Sequence, residues 1–170
     1  MEIKQSIGRC LVIPEVSSEK RKYIPIGFVE DAIYSNLVRY ISGISYYHFG
    51  ILISIVHMAW MRVACGRLEM RYRYSANVVY NNFPWPNPTD EQKAKIEQTA
   101  QAILDARAKY PDSSLADLYD ELTMPAELRK AHKDNDRAVM QAYGFSSKIT
   151  EDQESLIVAE LFKMYQELTK

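Results

Sequence analysis

An apolar run over residues 46–65, YYHFGILISIVHMAWMRVAC, constrains the fold of this chain more than any other stretch. A membrane-spanning helix needs about 20 consecutive apolar residues, and the unbroken apolar parts of this run are far shorter. Four polar residues interrupt it: His48, Ser54, His57 and Arg62. Apolar side chains on all sides are typical of a helix buried in a protein core, and Gly66 supplies a helix stop. The run therefore predicts one buried helix, and we expect no membrane partner.

The charge of the chain is divided unevenly between its two halves. Of its 170 residues, 47% are hydrophobic and 25% are charged, which is typical of a globular protein and excludes disordered and fibrous classes. The net charge of −1 argues against a general polycationic binder of nucleic acid. Residues 1–88 carry ten Lys and Arg against six Asp and Glu, whereas residues 89–170 carry eleven against sixteen. The resulting charges of +4 and −5 indicate that only the first half faces an anion.

The cysteines and the N-terminal sequence bear on where the protein works. Cys10 and Cys65 have no metal-binding or redox spacing, so free thiols in a reducing cytoplasm are the simpler interpretation. The first ten residues, MEIKQSIGRC, have no apolar core of signal-peptide length. We therefore expect a cytoplasmic protein.

The first half of the chain reads as short strands around the buried helix. Segments rich in Ile, Val and Tyr predict strands in three places: residues 10–14, 23–28 and 31–41. After the helix, alternation over residues 67–83 predicts a strand with a turn at residues 75–77. The PWPNP segment at residues 84–88 cannot be helix or inner strand, and it is interpreted as a domain boundary.

The second half reads as helices with recognisable starts. Thr89 and Gln92 predict a capping box before a helix that ends near Lys109. Further helices are predicted over residues 113–119, from Pro125 to Tyr143, and after a second capping box at Thr150 and Gln153. Three helices of this length can bury a small core of their own. The sequence predicts an α+β chain, with a β-rich domain around one buried helix at residues 1–88 and an all-α domain at residues 89–170.

No catalytic constellation is present in the sequence. It contains no Gly-rich phosphate loop, HExxH, paired CxxC or GxSxG motif. His48 and His57 point to different faces of the predicted helix, so each is interpreted as a hydrogen-bonded core or interface histidine rather than a metal ligand. Residues 134–136, Asp-Asn-Asp, lack the glycine and the closing glutamate of a calcium loop. They are interpreted as a solvated helical face, and we expect neither catalytic residues nor a metal site.

Charged residues recur at every second position of residues 67–75, RLEMRYRYS. On one strand this spacing places four charged side chains on a single face: Arg67, Glu69, Arg71 and Arg73. Glutamate can accept from the cytosine amino group and arginine can bridge O6 and N7 of guanine, so a Glu-x-Arg pair can read one C·G base pair. The alternative is a solvent-facing strand with cross-strand salt bridges.

A polar turn at residues 17–22, SSEKRK, is a second candidate site. Hydroxyl groups beside three cations suit the phosphate oxygens of nucleic acid. The alternative is a turn that is simply solvated.

Long segments of the chain carry a resemblance to a known family. They are VSSEKRKYIPIGF (16–28), YYHFGILISIVHMAWMRVACGRLEMRYRYS (46–75), VVYNNFPWPNPTDEQ (78–92), AILDARAKYPDSSLADLYDELTMPAELRKAH (102–132) and RAVMQAYGF (137–145). They resemble the C-terminal part of MmeI-like fused DNA methyltransferases, which are type IIG/IIL restriction–modification enzymes. The resemblance implies that residues 1–88 are the later part of a DNA target-recognition domain. It also implies that residues 89–170 are the family's C-terminal helical domain.

The resemblance also implies which positions contact DNA. Glu69 and Arg71 match the pair that the family varies to read a base, and Glu15 and Asn36 match a second such pair. An asparagine at position 36 can bond the edge of an adenine. The remaining candidates are contacts to the DNA backbone or to flanking bases: Arg73, Ser17, Ser18, Lys20, Arg21 and Lys22.

The chemistry of such enzymes is implied to lie elsewhere in a longer polypeptide. In the family, methyl transfer to adenine N6 uses an Asn-Pro-Pro-aromatic motif and a Gly-containing S-adenosylmethionine loop, and neither stands in this sequence. We therefore expect no cofactor on this chain, with S-adenosylmethionine, and Mg where a nuclease is present, bound by the parent enzyme. The expected function is recognition of a specific double-stranded DNA sequence.

The alternative function is a structural module with little DNA contact. In that case the helices over residues 89–109 and 151–169 would bind other domains of the parent polypeptide or a second copy of the chain. A homodimer is also expected from open strand edges, which can pair with another copy.

Overall fold

The computed structural model describes residues 4–5, 8–145, 150 and 152–170. The strands are β1 (Lys4–Gln5), β2 (Arg9–Pro14), β3 (Val16–Ser17), β4 (Gly27–Glu30), β5 (Ile33–Tyr34), β6 (Val38–Ser42), β7 (Gly66–Leu68) and β8 (Arg71–Arg73). The helices are α1 (Tyr46–Leu52), α2 (Ile55–Ala64), α3 (Asp90–Ala108), α4 (Leu115–Leu118), α5 (Ala126–Ala142) and α6 (Glu154–Leu168). Small sheets in the first half and helices in the second confirm the predicted α+β class.

The apolar run forms two helices, so the prediction of one continuous helix was wrong. α1 and α2 meet at an angle of 55°. Ser54 has extended backbone angles and caps α2, accepting from the backbone N–H of His57 while its hydroxyl donates to the carbonyl of Ile51 at 2.7 Å. A serine at this point ends one helix and starts the next, because its side chain satisfies backbone groups that the interruption leaves without partners.

Both helices of the bent pair are buried. Most of their side chains are less than 4% exposed, and they form the centre of the hydrophobic core. No single helix in the described part of the chain is long and apolar enough to cross a membrane, and only the two taken together reach that length.

Two three-stranded antiparallel sheets lie beside these helices. β2 is the central strand of the first sheet, between β4 and β6. β8 is the central strand of the second, between β3 and β7. β1 and β5 pair separately as two residues each. The first predicted strand is confirmed as β2, whereas residues 23–26 are irregular and the segment over residues 31–41 is divided into two strands.

The charged segment after the helices is a β-hairpin whose turn lies at residues 69–70, so the prediction of a strand over residues 67–83 with its turn at residues 75–77 was wrong. β7 and β8 pair through the cross-strand partners Arg67 and Tyr72, with Glu69 and Met70 forming the connecting turn. Glu69 has a φ of 56°, a left-handed value that non-glycine residues rarely adopt. The next residues, Ala76–Tyr80, form a single π-helical turn rather than a continuing strand.

The helical half does not have a core of its own. α3 packs on α1 and on α5, while α6 packs on α2. The buried side chains of these helices, including Ile96, Ile103, Ile157 and Leu161, belong to the same apolar cluster as α1 and α2. The two halves therefore share one core, contrary to the expectation of a separate small core.

The predicted helix starts are confirmed at two points and shifted at one. Thr89 and Gln92 form the expected reciprocal capping box, and Ser114 caps α4. α6 begins only at Glu154, later than predicted, although Gln153 accepts from the Thr150 N–H at 3.0 Å, which is one half of the predicted capping box.

Residues 135 and 136 are buried, so the interpretation of residues 134–136 as a solvated face was wrong. Asp136 accepts from the backbone N–H of Ile55 at 2.8 Å and from the Tyr23 hydroxyl at 2.6 Å. Asn135 donates to the carbonyl of Gly50 at 2.7 Å. These contacts connect α5 to the bend between α1 and α2. A buried polar group is stable only when it is hydrogen-bonded, and Asn135 and Asp136 both meet this requirement.

Candidate nucleic-acid interface

Glu15 lies where the two three-stranded sheets meet. It is the single residue between β2 and β3, which belong to different sheets. Its N–H donates to the carbonyl of Leu37 at 2.9 Å, and its carbonyl accepts from the N–H of Tyr74 at 2.7 Å. The backbone of Glu15 is thus fixed from both sides, which places its side chain reproducibly.

The Glu15 carboxylate is held between two arginines. Arg39 of β6 contacts Oε2 through Nη2 at 3.0 Å, and Arg73 of β8 contacts Oε1 through Nε at 3.2 Å. The register explains this arrangement, since Arg39 pairs with Ile13 and Arg73 pairs with Val16, two residues before Glu15 and one residue after it. The carboxylate is 12% exposed, whereas Arg39 and Arg73 are 45% and 58% exposed. The guanidinium groups therefore form the accessible part of this cluster.

Glu69 and Arg71 form an ion pair at the end of the hairpin. Arg71 Nη2 donates to Glu69 Oε2 at 3.0 Å, and the side chains are 47% and 77% exposed. Met70, between them, is also highly exposed. A carboxylate acceptor and a guanidinium donor are thus presented side by side at the tip of a two-stranded ribbon.

Arg67 does not share the face of Arg71 and Arg73, which corrects the prediction of four charged residues on one face. It lies opposite Tyr72, and its guanidinium stacks over the Tyr72 ring at 4.2 Å. Directly paired residues of an antiparallel hairpin point to the same side, so Arg67 follows the inward-facing Tyr72. The single-strand interpretation missed the turn at Glu69, which changes the alternation.

Asn36 lies close to the Glu15 cluster along the backbone. It precedes Leu37, whose carbonyl accepts from Glu15, and its side chain is exposed. Asn36 and Arg39 both line a cavity of about 430 Å³. The other lining residues are Ile13, Ser35, Val38, Tyr40, Ile41, Tyr74, Ala76, Tyr80 and Asn81.

The residues of the polar turn are placed in different environments. Ser17 is buried, and its hydroxyl makes no hydrogen bond with the described residues. Lys20 is exposed, and its backbone N–H donates to the Ser18 hydroxyl at 3.2 Å. Lys20 is the exposed residue of this turn, whereas Ser18 is half-buried.

Arg21 and Lys22 contact the helical half of the chain. Arg21 donates to the carbonyl of Ala116 at 3.4 Å, and the Lys22 N–H donates to Glu121 Oε1 at 3.1 Å. The Lys22 ammonium lies 3.7 Å from the Asp152 carboxylate, and the backbone carbonyl of Lys22 accepts from the Arg62 guanidinium. Their assignment to the DNA backbone stays a prediction, and the contacts present are those of an internal interface.

Arg39 is the component of the cluster that the sequence analysis missed. It lies in a segment interpreted only as a strand, and the position that pairs with it becomes visible only once β2 and β6 are in register. A polar residue among Val, Tyr and Ile in β6 was the available signal.

The histidines and carboxylates of the described residues do not form a metal site. The described residues contain no group of three His, Cys, Asp or Glu side chains placed to hold a metal ion. His57 is fully buried and contacts the Tyr74 hydroxyl at 3.1 Å, and burial lowers its pKa to about 3. This contact confirms that His57 is a core histidine.

Known proteins match the chain along its whole length. A family described as "MmeI, target recognition domain" matches residues 1–87, and one described as "MmeI, C-terminal domain" matches residues 88–170. The chain is similar to DNA methyltransferase A of Bacillus subtilis (strain 168), with 44% identity over 161 residues, covering 94% of this chain and 18% of that protein.

A solved structure of the type IIL restriction–modification enzyme MmeI in complex with DNA is also similar. The identity is 50% and the TM-score 0.92, over 98% of this chain and 22% of that one. The chain therefore spans about a fifth of the length of these relatives. These matches confirm the resemblance read from the sequence: the chain belongs to the MmeI family and comprises its target recognition and C-terminal domains.

Proposed function

We propose that this chain selects a short double-stranded DNA sequence on behalf of a longer adenine-N6 methyltransferase. The observation that carries the proposal is the outward-facing set of ion-paired side chains on two adjoining sheets, Glu69 with Arg71 and Glu15 with Arg39 and Arg73. Paired donors and acceptors of this kind match the edges of base pairs, whereas a general DNA binder needs cations alone.

The hairpin tip suits the major groove of DNA. That groove admits a two-stranded ribbon, and each base pair presents a distinct pattern of donors and acceptors there. We propose that Arg71 donates to guanine while Glu69 accepts from the cytosine of the same base pair. The exposure of both side chains leaves them accessible to a duplex without rearrangement of the core.

Lys20, Ser18 and Arg73 are the proposed backbone or flanking contacts, and Glu15 and Asn36 the proposed second reading pair. We propose a smaller role for Ser17, Arg21 and Lys22, because Ser17 is buried and the other two contact the helical half. Contacts to phosphate position a protein, while contacts to base edges give specificity.

The outward-facing ion-paired side chains Glu15, Arg39, Glu69, Arg71 and Arg73 form what we call the recognition face. The helical half is proposed to support this face rather than to read DNA. The helices α3, α5 and α6 cover the core helices α1 and α2. This supporting role agrees with one part of the alternative hypothesis, namely that the helical half is a structural module. Pairing of this chain with a second copy through sheet edges remains a proposal.

The parent polypeptide is proposed to be a type IIG/IIL enzyme that binds S-adenosylmethionine outside this chain and works in the cytoplasm. Endonuclease activity with Mg is part of the same proposal. The chain lacks the Asn-Pro-Pro-aromatic motif, so its own residues bind and orient the DNA while the methyl group is transferred elsewhere.

Exchange of the hairpin pair tests the function directly. In the complete methyltransferase, the double substitution E69R/R71E should change the preferred base at one position of the methylated sequence and retain methylation at the new sequence. The measurement is sequencing of methylated sites in DNA treated with each enzyme.

Arg67→Gln is the matched control, because this exposed arginine lies on the same hairpin but stacks on Tyr72. It should leave the methylated sequence unchanged. An E69R/R71E enzyme that keeps both its activity and its original sequence would contradict base reading by this pair.

A further inference from the structure

We infer that Arg39 is a positioning residue that determines specificity at the base pair read by Glu15. The inference rests on the proposed function, and it adds a residue that lies outside the reading pairs identified from the sequence. Arg39 acts through Glu15, whose carboxylate it holds from the side opposite to Arg73.

The two arginines bind different oxygens of the same carboxylate. Arg39 occupies Oε2 and Arg73 occupies Oε1. A carboxylate has about four acceptor positions in all, so each oxygen keeps capacity for one further hydrogen bond. Holding both oxygens fixes the rotation of the carboxylate group, which determines where its remaining acceptor positions point.

The geometry also leaves donors on both arginines. Arg73 contacts Glu15 through Nε, so its two terminal amino groups are not used in this contact. Arg39 uses Nη2 and is 45% exposed. The cluster has a net charge of +1, with the carboxylate nearly covered and the guanidinium groups outermost.

Loss of Arg39 would change the geometry of its partners rather than only the charge. Glu15 is 12% exposed and would keep a single cationic partner. A nearly buried carboxylate gains by taking both donors of one guanidinium, so Glu15 would rotate towards Arg73. The remaining acceptor positions of Glu15 would then no longer face the base pair that it reads.

The affected base pair should be separate from the one read at the hairpin tip. Arg71 and Arg73 are two residues apart on β8, which corresponds to about 7 Å at the usual rise of a strand. Successive nucleotides of one DNA strand are about 3.4 Å apart. The base pair that depends on Arg39 should therefore differ from the pair that depends on Glu69 and Arg71.

The test uses Arg39→Met in the complete methyltransferase, with methylated sites mapped by sequencing. Methionine keeps most of the side-chain length and removes both the charge and the donors. The preference for the correct base should fall roughly tenfold at one position, while the position altered by E69R/R71E keeps its preference. Arg39→Lys, which retains a charge and a donor, should restore part of the lost preference.

Arg67→Met is the matched control, because it removes an exposed arginine of the neighbouring hairpin that has no contact with Glu15. It should leave all positions unchanged. Thermal unfolding of each variant detects misfolding, and a merely structural role of Arg39 would lower stability without changing the preferred base. If Arg39→Met misfolds, Arg39→Lys alone should still weaken the preference at the same single position.

Glu15→Gln separates failure of this inference from failure of the proposed function. If Glu15→Gln changes the methylated sequence while Arg39→Met and Arg39→Lys do not, the positioning role of Arg39 is wrong and base recognition by this face stands. If Arg39→Met weakens methylation equally at all sequences, Arg39 is a phosphate contact and the inference is also wrong. If neither Glu15→Gln nor E69R/R71E changes the sequence, the proposed function itself fails.

Discussion

The outer recognition face and the buried interface between the two halves use polar side chains in opposite ways. On the outer face, Arg39, Arg71 and Arg73 are each about half exposed and keep donors that are available to a ligand. In the buried interface, Asp136 and Asn135 are fully covered and form hydrogen bonds with backbone and side-chain groups of the protein itself. We therefore expect substitutions in the first arrangement to alter DNA binding and substitutions in the second to impair folding.

Arg107 shows that even a charged side chain can belong to the buried interface. It lies on α3 and donates to the carbonyl of Ile26 at 2.8 Å and to the Tyr119 hydroxyl. Tyr119 in turn contacts His132 Nε2 at 2.7 Å, and burial together with the Arg107 charge keeps the pKa of His132 well below its usual value. A guanidinium group, which we propose reads DNA on the outer face, here closes a buried hydrogen-bond network.

Removal of Asp136 should have the largest effect on folding. Asp136→Ala leaves the Ile55 N–H and the Tyr23 hydroxyl without the carboxylate in a buried site, and should lower the free energy of unfolding by about 3 kcal/mol. Urea unfolding of the 170-residue chain measures the loss. Asp134→Ala is the control, because its ion pairs with Lys130 and Arg137 are exposed and should contribute less than about 1 kcal/mol. Equal losses in the two variants would contradict the special contribution of the buried Asp136 carboxylate.

Filling the contact between α1 and α3 should be the next largest effect. A Cβ at Gly50 would lie 2.7 Å from Ile96 and 3.1 Å from the Asn135 amide oxygen, so Gly50→Ala should cost about 2 kcal/mol by overpacking. Gly66→Ala is the control, since a Cβ there meets nothing within 4 Å. Thermal and urea unfolding should show a loss only for the first variant, and an unchanged stability of Gly50→Ala would mean that the helices can separate freely.

Acid should destabilise the chain through its buried histidines. The pKa of His57 is about 3 in the folded chain and about 6.5 when unfolded, so the unfolded state binds the proton first. The stabilisation from keeping His57 neutral is complete above about pH 6.5 and is lost as the pH falls towards 3. Between pH 7 and pH 5 the loss should be about 2 kcal/mol for His57.

His57→Gln should reduce this dependence on pH, measured as the free energy of unfolding at several pH values. His48→Gln serves as the comparison, because the His48 ring is only partly buried and its pKa is lowered less completely, by burial and by Lys93. An identical pH dependence for wild type and His57→Gln would show that His57 is not the group that titrates on unfolding.

The smallest expected effect has the opposite sign and lies on the recognition face. Glu69 has a left-handed φ of 56°, so Glu69→Gly should raise the free energy of unfolding by about 1 kcal/mol while removing the carboxylate acceptor. Met70→Gly, at the neighbouring turn position, should not raise it. A stabilised variant with weaker sequence discrimination would show that this face sacrifices folding stability for base recognition, and a destabilised Glu69→Gly would argue against strain at this turn.

The sequence predicted the parts of the fold that depend on local patterns. Capping residues such as Thr89 and Ser114 placed helix starts correctly, because a cap is a short-range interaction. The break at Ser54 and the turn at Glu69 were missed, because each opposes local expectation and is stabilised by distant residues or by pairing across the hairpin. The burial of Asp136 could not be seen for the same reason, since its partners lie 81 and 113 positions away.

The candidate site was predictable in its residue types but not in its arrangement. The resemblance to a family identified Glu15, Glu69 and Arg71, while the ion pair of Glu15 with Arg39 needed the register of two strands far apart in the chain. The contacts of Lys22 within the protein could not be seen in the sequence, because its partners Glu121 and Asp152 belong to the helical half.

The shared core has a practical meaning for anyone who would divide or recombine this protein. A cut within the Pro-rich segment at residues 84–88 would separate α1 and α2 from the helices that cover them, and both pieces would expose apolar surface to water. Exchanging the first half alone to introduce a new specificity would therefore require that the new α1 and α2 still fit against α3, α5 and α6. Changing single outward-pointing side chains avoids that requirement.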